Sequence, residues 1–193
     1  MTTTSRPTWS SLLLDQADWH WREQLRPRLA GLSDEEYLWE PVPGAWNVRP
    51  RGTSPTPQAV GSGAHTIDWA FPEPDPAPLT TIAWRLCHVI VGVLAMRNAG
   101  HFGGPPASHD TWEYAGTADG ALAQLDDQYA RWAAGVAGLD EDALASPCGP
   151  SEGPFADEPM AALVLHIHRE LIHHGAEIAL LRDLYLHTHR EDA

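Results

Sequence analysis

The sequence predicts an all-α fold, a four-helix bundle with a long loop between its first two helices. Three observations lead to this prediction. Four segments carry the apolar periodicity of helices, no segment shows strand-like alternation of useful length, and one stretch rich in proline and glycine separates the first two helices. The 193 residues are enough for one sizeable core, so we expect residues 1–193 to form a single domain.

The four helices are predicted from apolar faces and from residues that begin or end helices. Their approximate bounds are 10–30, 79–101, 117–137 and a last helix that starts after Pro159, or as early as Phe155, and reaches position 187. Pro27 is expected to kink the first helix or end it early. Ser33 and Glu36 fit a capping box for a short helical turn that follows. A Gly-Gly-Pro-Pro run at 103–106 ends the second helix.

Residues 41–78 form the predicted long loop, which is rich in proline and glycine. Loops beyond roughly 12 to 15 residues in compact domains are usually functional or disordered. This one contains Trp46, His65, Asp68 and Trp69. Its aromatic content favours a loop that packs back on the body of the protein.

Charge and composition narrow the classes of function. The formal net charge of -14 argues against a nucleic-acid partner, which needs a basic stripe, and against an anionic membrane surface. No run approaches the roughly 20 apolar residues that span a bilayer, and the stretch from Met1 to Trp9 lacks an apolar signal-peptide core. Cys87 and Cys148 make no disulfide framework, so we expect a cytoplasmic protein.

The last helix directs a carboxylate and an imidazole toward its apolar stripe. On a wheel of 100° per residue with Glu170 at zero, the stripe is centred near about 30–40° and His174 falls at about 40°. Glu177 falls at about -20° and His166 at about -40°, while His168 points to the opposite side. Residues at i and i+4 lie on one face, close enough to share a metal ion.

The second helix offers a third ligand, His88. Its predicted core-facing stripe consists of Trp84, His88, Val91, Gly92 and Ala95. Inward-facing carboxylate–histidine pairs on facing helices build the metal sites of bundle cores. Three protein ligands with one open position are typical of a catalytic rather than a structural site. The residues therefore predict a divalent-metal site.

Two alternatives without a metal stay open. His88 could be a hydrogen-bonded histidine of the core. Glu170 could form a salt bridge with Arg85 or Arg169, since an ionised carboxylate that is buried needs a cation, a metal or a shifted pKa.

These residues resemble the pattern of the DinB/YfiT-like superfamily, which has one histidine on the second helix and His-x-x-x-His on the last. His88 matches the first histidine. The run Glu-Leu-Ile-His-His-Gly-Ala-Glu at 170–177 matches the second element, with His174 as its closing histidine and Glu170 where the usual histidine would be. The segment Glu-Pro-Val-Pro-Gly-Ala-Trp-Asn-Val at 40–48 is similar to the family's link between helices one and two.

The resemblance implies a helical bundle with a metal triad of His88, Glu170 and His174. The mycothiol-dependent maleylpyruvate isomerases are similar in using histidine, glutamate and histidine. Zinc is favoured by ligand type, with nickel, iron and manganese as the alternatives. The resemblance also implies a small-molecule substrate and makes a homodimer plausible.

Three functions are open from the sequence. The first is a metal-dependent enzyme that activates a low-molecular-weight thiol for transfer to, or isomerisation of, an electrophilic substrate, with Glu177 or His166 steering protons. The second is a metal-dependent hydrolase, in which the open position holds water. The third is a non-catalytic metal-binding or stress-response protein. The sequence has no Gly-rich phosphate loop, no nucleophile elbow and no zincin motif.

Overall fold

A computed structural model describes residues 7–189, which form a predominantly helical fold with a small three-stranded sheet. In chain order the elements are α1 (9–28), α2 (Asp34–Tyr37), β1 (Val48–Pro50), β2 (Gln58–Val60), β3 (His65–Trp69), α3 (82–101), α4 (Ala118–Ala137), α5 (Glu141–Ala145), a 3-10 turn (Pro150–Phe155) and α6 (Met160–Thr188). Most of the polar N-terminal stretch that argued against a signal peptide lies outside the described residues.

Two of the long helices contain π-helical segments. The parts of α1 are Trp9–His20, the π-helical Trp21–Leu25 and Arg26–Arg28; those of α3 are Ile82–Cys87, the π-helical His88–Ala95 and Met96–His101. Such segments occur frequently at functional sites because they change the spacing of side chains along a helix face. The one in α3 begins at His88.

The helices begin and end near the capping and helix-breaking residues from which their ends were predicted. Pro27 lies in the last turn of α1, so that helix ends early. The side chain of Thr117 caps the start of α4. Ser33 Oγ accepts a hydrogen bond from the backbone N–H of Glu36 at 3.1 Å, which is one half of the predicted capping box. The Glu36 carboxylate does not complete the box, because it binds Arg182 instead.

The core lies where α1 and α3 each contact both α4 and α6. The predicted apolar stripe of α4 is buried in full, namely Leu122, Leu125, Tyr129, Trp132 and Val136. Trp21 of α1 stacks on Tyr129 with ring centroids 3.9 Å apart. The predominantly helical character is thus confirmed, while the four-helix bundle stays a prediction.

By length and composition alone, α3 is apolar enough to cross a membrane, which corrects the expectation that no such run exists. Most of its apolar window is buried inside the protein, as in the core helix of a globular fold. Packing against the neighbouring helices therefore explains the apolar character of α3.

The long loop contains the sheet, which the sequence analysis did not predict. The strand β3 pairs antiparallel with both β1 and β2. These strands are three to five residues long, too short for alternation to stand out among prolines and glycines. Trp46 and Trp69 of this region cluster with Trp84 of α3, with ring centroids 5.7 to 6.4 Å apart. The prediction that the loop packs back on the body is confirmed.

The buried face of α6 is rotated from the predicted one. Its buried residues are Leu163, Val164, Ile167, His168, Leu171, His174, Gly175, Ile178 and Arg182. On the same wheel they centre at roughly 90° rather than 30–40°. His168, predicted to point away, is therefore buried with its ring centroid 6.1 Å from that of Trp132. Glu170 lies at the edge of the stripe, with its side chain 25% exposed. Phe155 belongs to the 3-10 turn, so α6 begins after Pro159.

Candidate metal centre

His88 and His174 meet between α3 and α6. Their ring centroids are 4.7 Å apart and the ring planes are nearly perpendicular. His174 Nε2 lies 3.4 Å from Glu170 Oε2. Two atoms bound to one zinc ion at about 2.1 Å with a tetrahedral angle also lie about 3.4 Å apart. His174 thus adjoins both other predicted ligands, while the triad and its metal stay a prediction.

Glu177 fixes the orientation of the His174 ring. Its Oε2 lies 2.7 Å from His174 Nδ1 and 3.0 Å from Arg85 Nε. A carboxylate only accepts, so this contact places the ring hydrogen on Nδ1 and leaves the lone pair on Nε2, the nitrogen beside Glu170. Arg85 Nη1 is 3.5 Å from the same Nδ1, too long to compete with the carboxylate. A carboxylate behind a histidine in this way is typical of metal-binding imidazoles.

Glu170 divides its two oxygens between different partners. Oε1 accepts hydrogen bonds from Arg169 at 3.1 and 3.3 Å and lies 3.5 Å from His166 Nδ1. Burial raises the pKa of Glu170, but the Arg169 hydrogen bonds and the charges of His166 and His174 lower it by more, so the carboxylate is ionised. The alternative salt bridge with Arg169 is thus present. It uses Oε1 only, and Arg85 pairs with Glu177 instead.

His88 is held as a neutral imidazole. Burial, followed by the charges of His174, Arg85 and His109, lowers its pKa to about 4. Its ring lies parallel to that of Trp84, with centroids 5.9 Å apart. Within residues 7–189 the ring has no hydrogen-bond partner, which counts against the reading of a hydrogen-bonded core histidine. A neutral imidazole is the form that binds a metal.

A cavity of about 280 Å³ adjoins these groups and is lined by His88, Glu170, His166, His109 and Gly92, among others. A Cβ on Gly92 would lie 3.2 Å from His88 Nδ1 and 3.3 Å from His109 Nε2. Glycine therefore leaves space between two imidazoles. The cavity gives small molecules a way to reach His88 and Glu170.

His109 is a residue that the sequence analysis missed. It lies on the loop between α3 and α4, and its Nδ1 is 3.0 Å from the hydroxyl of Tyr114. That hydroxyl donates to the His109 carbonyl at 3.2 Å, so it accepts from Nδ1–H and leaves Nε2 as the acceptor beside Gly92. Loop residues have no periodicity, so no sequence signal placed this imidazole at the site.

A second cluster competes with the predicted triad. The ligand atoms of His173, His174 and Glu177 all lie within 4.8 Å of one another, which makes them the compact group by distance. Glu177, however, is already bonded to Arg85 and to His174 Nδ1. The His173 side chain is 64% exposed, and its Nε2 is 3.5 Å from Glu177 Oε1. The compact group lies on the more exposed side of α6, whereas His88 and Glu170 line the cavity, so we favour His88, Glu170 and His174.

The two residues predicted to steer protons take different positions. His166 lines the cavity, and its Nδ1 accepts a hydrogen bond from Arg169. Glu177 lies behind His174, at the ring nitrogen opposite the one that faces Glu170. Its contacts are those of a residue that orients a ligand.

A family model described as the DinB superfamily matches residues 61–178, more than half of the chain, including all three predicted ligands. The chain belongs to the DinB superfamily. The resemblance predicted from the sequence is confirmed. No curated protein and no solved structure matches the sequence. DinB-superfamily proteins often bind a metal, in agreement with the cluster of His173, His174 and Glu177.

The orienting contact of Glu177 leads to a testable expectation for this DinB-superfamily protein. Glu177→Ala should weaken zinc affinity about 10- to 100-fold, as loss of a group that orients a ligand does, while one ion still binds at saturation. Competition with a chromophoric chelator measures the affinity. Asp183→Ala, which removes an exposed carboxylate from the same helix, is the control. An unchanged affinity, or complete loss of binding, would contradict the orienting role.

Proposed function

We propose that this DinB-superfamily protein is a four-helix-bundle metalloenzyme in which His88, Glu170 and His174 hold one divalent ion, with zinc favoured. It activates a small thiol for transfer to, or isomerisation of, an electrophilic substrate. The observation that carries the proposal is the 3.4 Å separation of His174 Nε2 and Glu170 Oε2 beside the His88 ring. His88 and Glu170 also line a cavity.

The donor set fits a divalent ion. Two imidazole nitrogens and a carboxylate oxygen are zinc ligands, and three protein ligands leave a position for a substrate. His88 and Glu170 have the protonation states that binding requires, because the pKa of each is lowered. The contacts of α1 and α3 with both α4 and α6 support the bundle.

A divalent ion at this place would hold a bound thiol in its thiolate form. The other tasks belong to the chain. The tryptophan cluster of Trp46, Trp69 and Trp84 shields the His88 side of the site from water. Glu177 keeps the His174 lone pair directed toward Glu170. His166, half-buried at the cavity, is assigned the transfer of a proton to or from the substrate.

An assay of zinc-loaded protein with thiols and electrophiles tests the proposal. Cysteine, N-acetylcysteine and glutathione are each combined with 1-chloro-2,4-dinitrobenzene and with maleate, and thiol consumption and product are followed. We expect thiol-dependent turnover that His88→Ala abolishes and His173→Ala retains. Turnover of ester or amide substrates without thiol would favour a hydrolase. Consumption of none of these would remove the support for thiol chemistry.

A further inference from the structure

An imidazole nitrogen outside the predicted triad faces the cavity at the candidate metal centre. His109 lines this cavity from the loop between α3 and α4. Its Nε2 lies beside Gly92, another residue of the wall, where a Cβ on the glycine would be 3.3 Å away. Within residues 7–189 this nitrogen has no hydrogen-bond partner, yet it is not among the enclosed unpartnered atoms. A molecule in the cavity can therefore reach it.

The His109 ring is held in one orientation. Its Nδ1 donates to the hydroxyl of the buried Tyr114 at 3.0 Å, and that hydroxyl donates to the His109 carbonyl at 3.2 Å. The ring of Trp69 packs against it, with ring centroids 5.2 Å apart. The hydrogen bond to Tyr114 keeps the ring hydrogen on Nδ1, so the lone pair lies on Nε2. His109 thus presents a hydrogen-bond acceptor to the cavity.

The loop that carries His109 is fastened to its neighbours. The backbone N–H of Ser62, between β2 and β3, donates to the Trp112 carbonyl at 2.9 Å, and the Ser62 hydroxyl donates to the Thr111 carbonyl at 2.7 Å. Trp112 Nε1 donates to Gln124 of α4 at 3.2 Å. The acceptor is therefore supported by both the sheet region and α4, as a preorganised site requires.

The charge state of His109 suits the acceptance of a proton. Burial lowers the pKa of His109; the charge of Asp110 opposes this lowering and that of Arg97 adds to it. The ring is therefore neutral near neutral pH. His166, which also lines the cavity, differs because its Nδ1 accepts a hydrogen bond from Arg169, so its ring hydrogen lies on Nε2. His166 thus offers the cavity a donor, and His109 offers an acceptor.

We propose that His109 is a further catalytic residue, the base that takes the proton of the small thiol. The S–H bond breaks as an N–H bond forms at Nε2, the electron pair of the S–H bond stays on the sulfur, and the imidazolium later gives the proton to solvent. This assignment rests on the proposed function, and it leaves to His166 the delivery of a proton to the substrate.

Nuclear magnetic resonance of the full-length protein labelled with ¹⁵N-histidine tests the acceptor without metal or thiol. Near neutral pH we expect the His109 ring, identified by the signals that His109→Ala loses, to carry its hydrogen on Nδ1 alone. Tyr114→Phe removes only the hydroxyl that fixes this tautomer, so it should place part of the hydrogen on Nε2. A wild-type ring with its hydrogen on Nε2 would overturn the proposal, whatever the thiol assay shows.

Turnover of N-acetylcysteine with 1-chloro-2,4-dinitrobenzene by the zinc-loaded protein tests the base itself. His109→Ala should keep its zinc and lose about 100-fold or more of kcat/KM, since general-base catalysis typically contributes this much. Imidazole added to the solution should restore part of the loss, which it would not do for a merely structural role. His20→Ala, at a half-buried histidine that contacts Gln24 on α1, is the matched control and should turn over like wild type.

The results separate the base from the proposed function. Tyr114→Phe keeps the imidazole and should lose only about two- to tenfold of kcat/KM, as expected for one hydrogen bond. Unchanged kcat/KM in His109→Ala, no rescue by imidazole, or loss of zinc, which would make His109 a fourth ligand, would each overturn the base while thiol turnover by wild type still supports the proposed function. Failure of wild-type protein to consume thiol with any electrophile would overturn the thiol function and the base together.

Discussion

Wild-type protein purified and dialysed without chelator is expected to contain about one divalent ion per chain, whereas His88→Ala and Glu170→Ala contain almost none. Each substitution leaves only two protein ligands, and Glu170→Ala also removes the negative charge of the site. Elemental analysis by mass spectrometry, beside thermal melts that show both variants to be folded, measures the effect. Glu170→His, which restores the histidine usual in the superfamily, should retain the ion.

His173→Ala is the control that separates the two candidate clusters. The exposed His173 belongs only to the compact group with His174 and Glu177. We expect this variant to keep its metal. If His173→Ala loses the ion and His88→Ala keeps it, the triad of His88, Glu170 and His174 is wrong, and the ion lies on the outer side of α6.

The helices could be predicted because their signals are local. Apolar residues recur with helical spacing, and Thr117, Pro27 and the run at 103–106 begin or end helices by short-range effects. The face of α6 was placed wrongly because the wheel relied on apolar character, and here the apolar Leu184 is exposed while the polar His168 is buried. Hydrophobicity alone does not show which polar residues a fold will bury.

The candidate site was predictable only where residues share a regular helix. Glu170 and His174 are four residues apart, so their proximity follows from helical geometry. His88 was predicted as the third ligand from the apolar stripe of the second helix and from the family resemblance. His109 reaches the same cavity through the fold of a loop and through the space left by Gly92. The fold of this loop and the space beside Gly92 do not follow from the spacing of residues along the chain. The sequence therefore could not predict that His109 reaches the site.

The largest effect on stability is expected from the buried ion pair between Arg182 of α6 and Glu36 of α2. Arg182 Nε lies 2.6 Å from Glu36 Oε1 and Nη2 lies 3.1 Å from Oε2, with the two side chains only 10% and 3% exposed. Arg182 Nη1 also donates to the carbonyls of Arg28 and Ala30, where α1 ends. One guanidinium thus joins α6 to α2 and to the end of α1.

Glu36→Ala should lower the free energy of unfolding by about 3 to 5 kcal/mol, because it leaves the Arg182 charge buried without a carboxylate. For a chain of this size that corresponds to a fall in Tm of roughly 6 to 20 °C. Urea denaturation followed by circular dichroism measures the change. Asp183→Ala, which breaks a half-exposed pair with Arg28, is the control and should cost about 1 kcal/mol or less.

The double variant Glu36→Leu with Arg182→Met distinguishes a lost attraction from an uncompensated charge. Removing both charged groups should recover much of the stability that Glu36→Ala loses, because replacing a buried pair by apolar side chains is often neutral or stabilising. If the double variant is less stable than Glu36→Ala, the carbonyl contacts of Arg182 matter more than its charge balance. The folded fraction of either protein should still bind metal, since Arg182 lies about 18 Å along α6 from Glu170. Loss of metal from folded protein would show instead that the ion pair sets the position of the site.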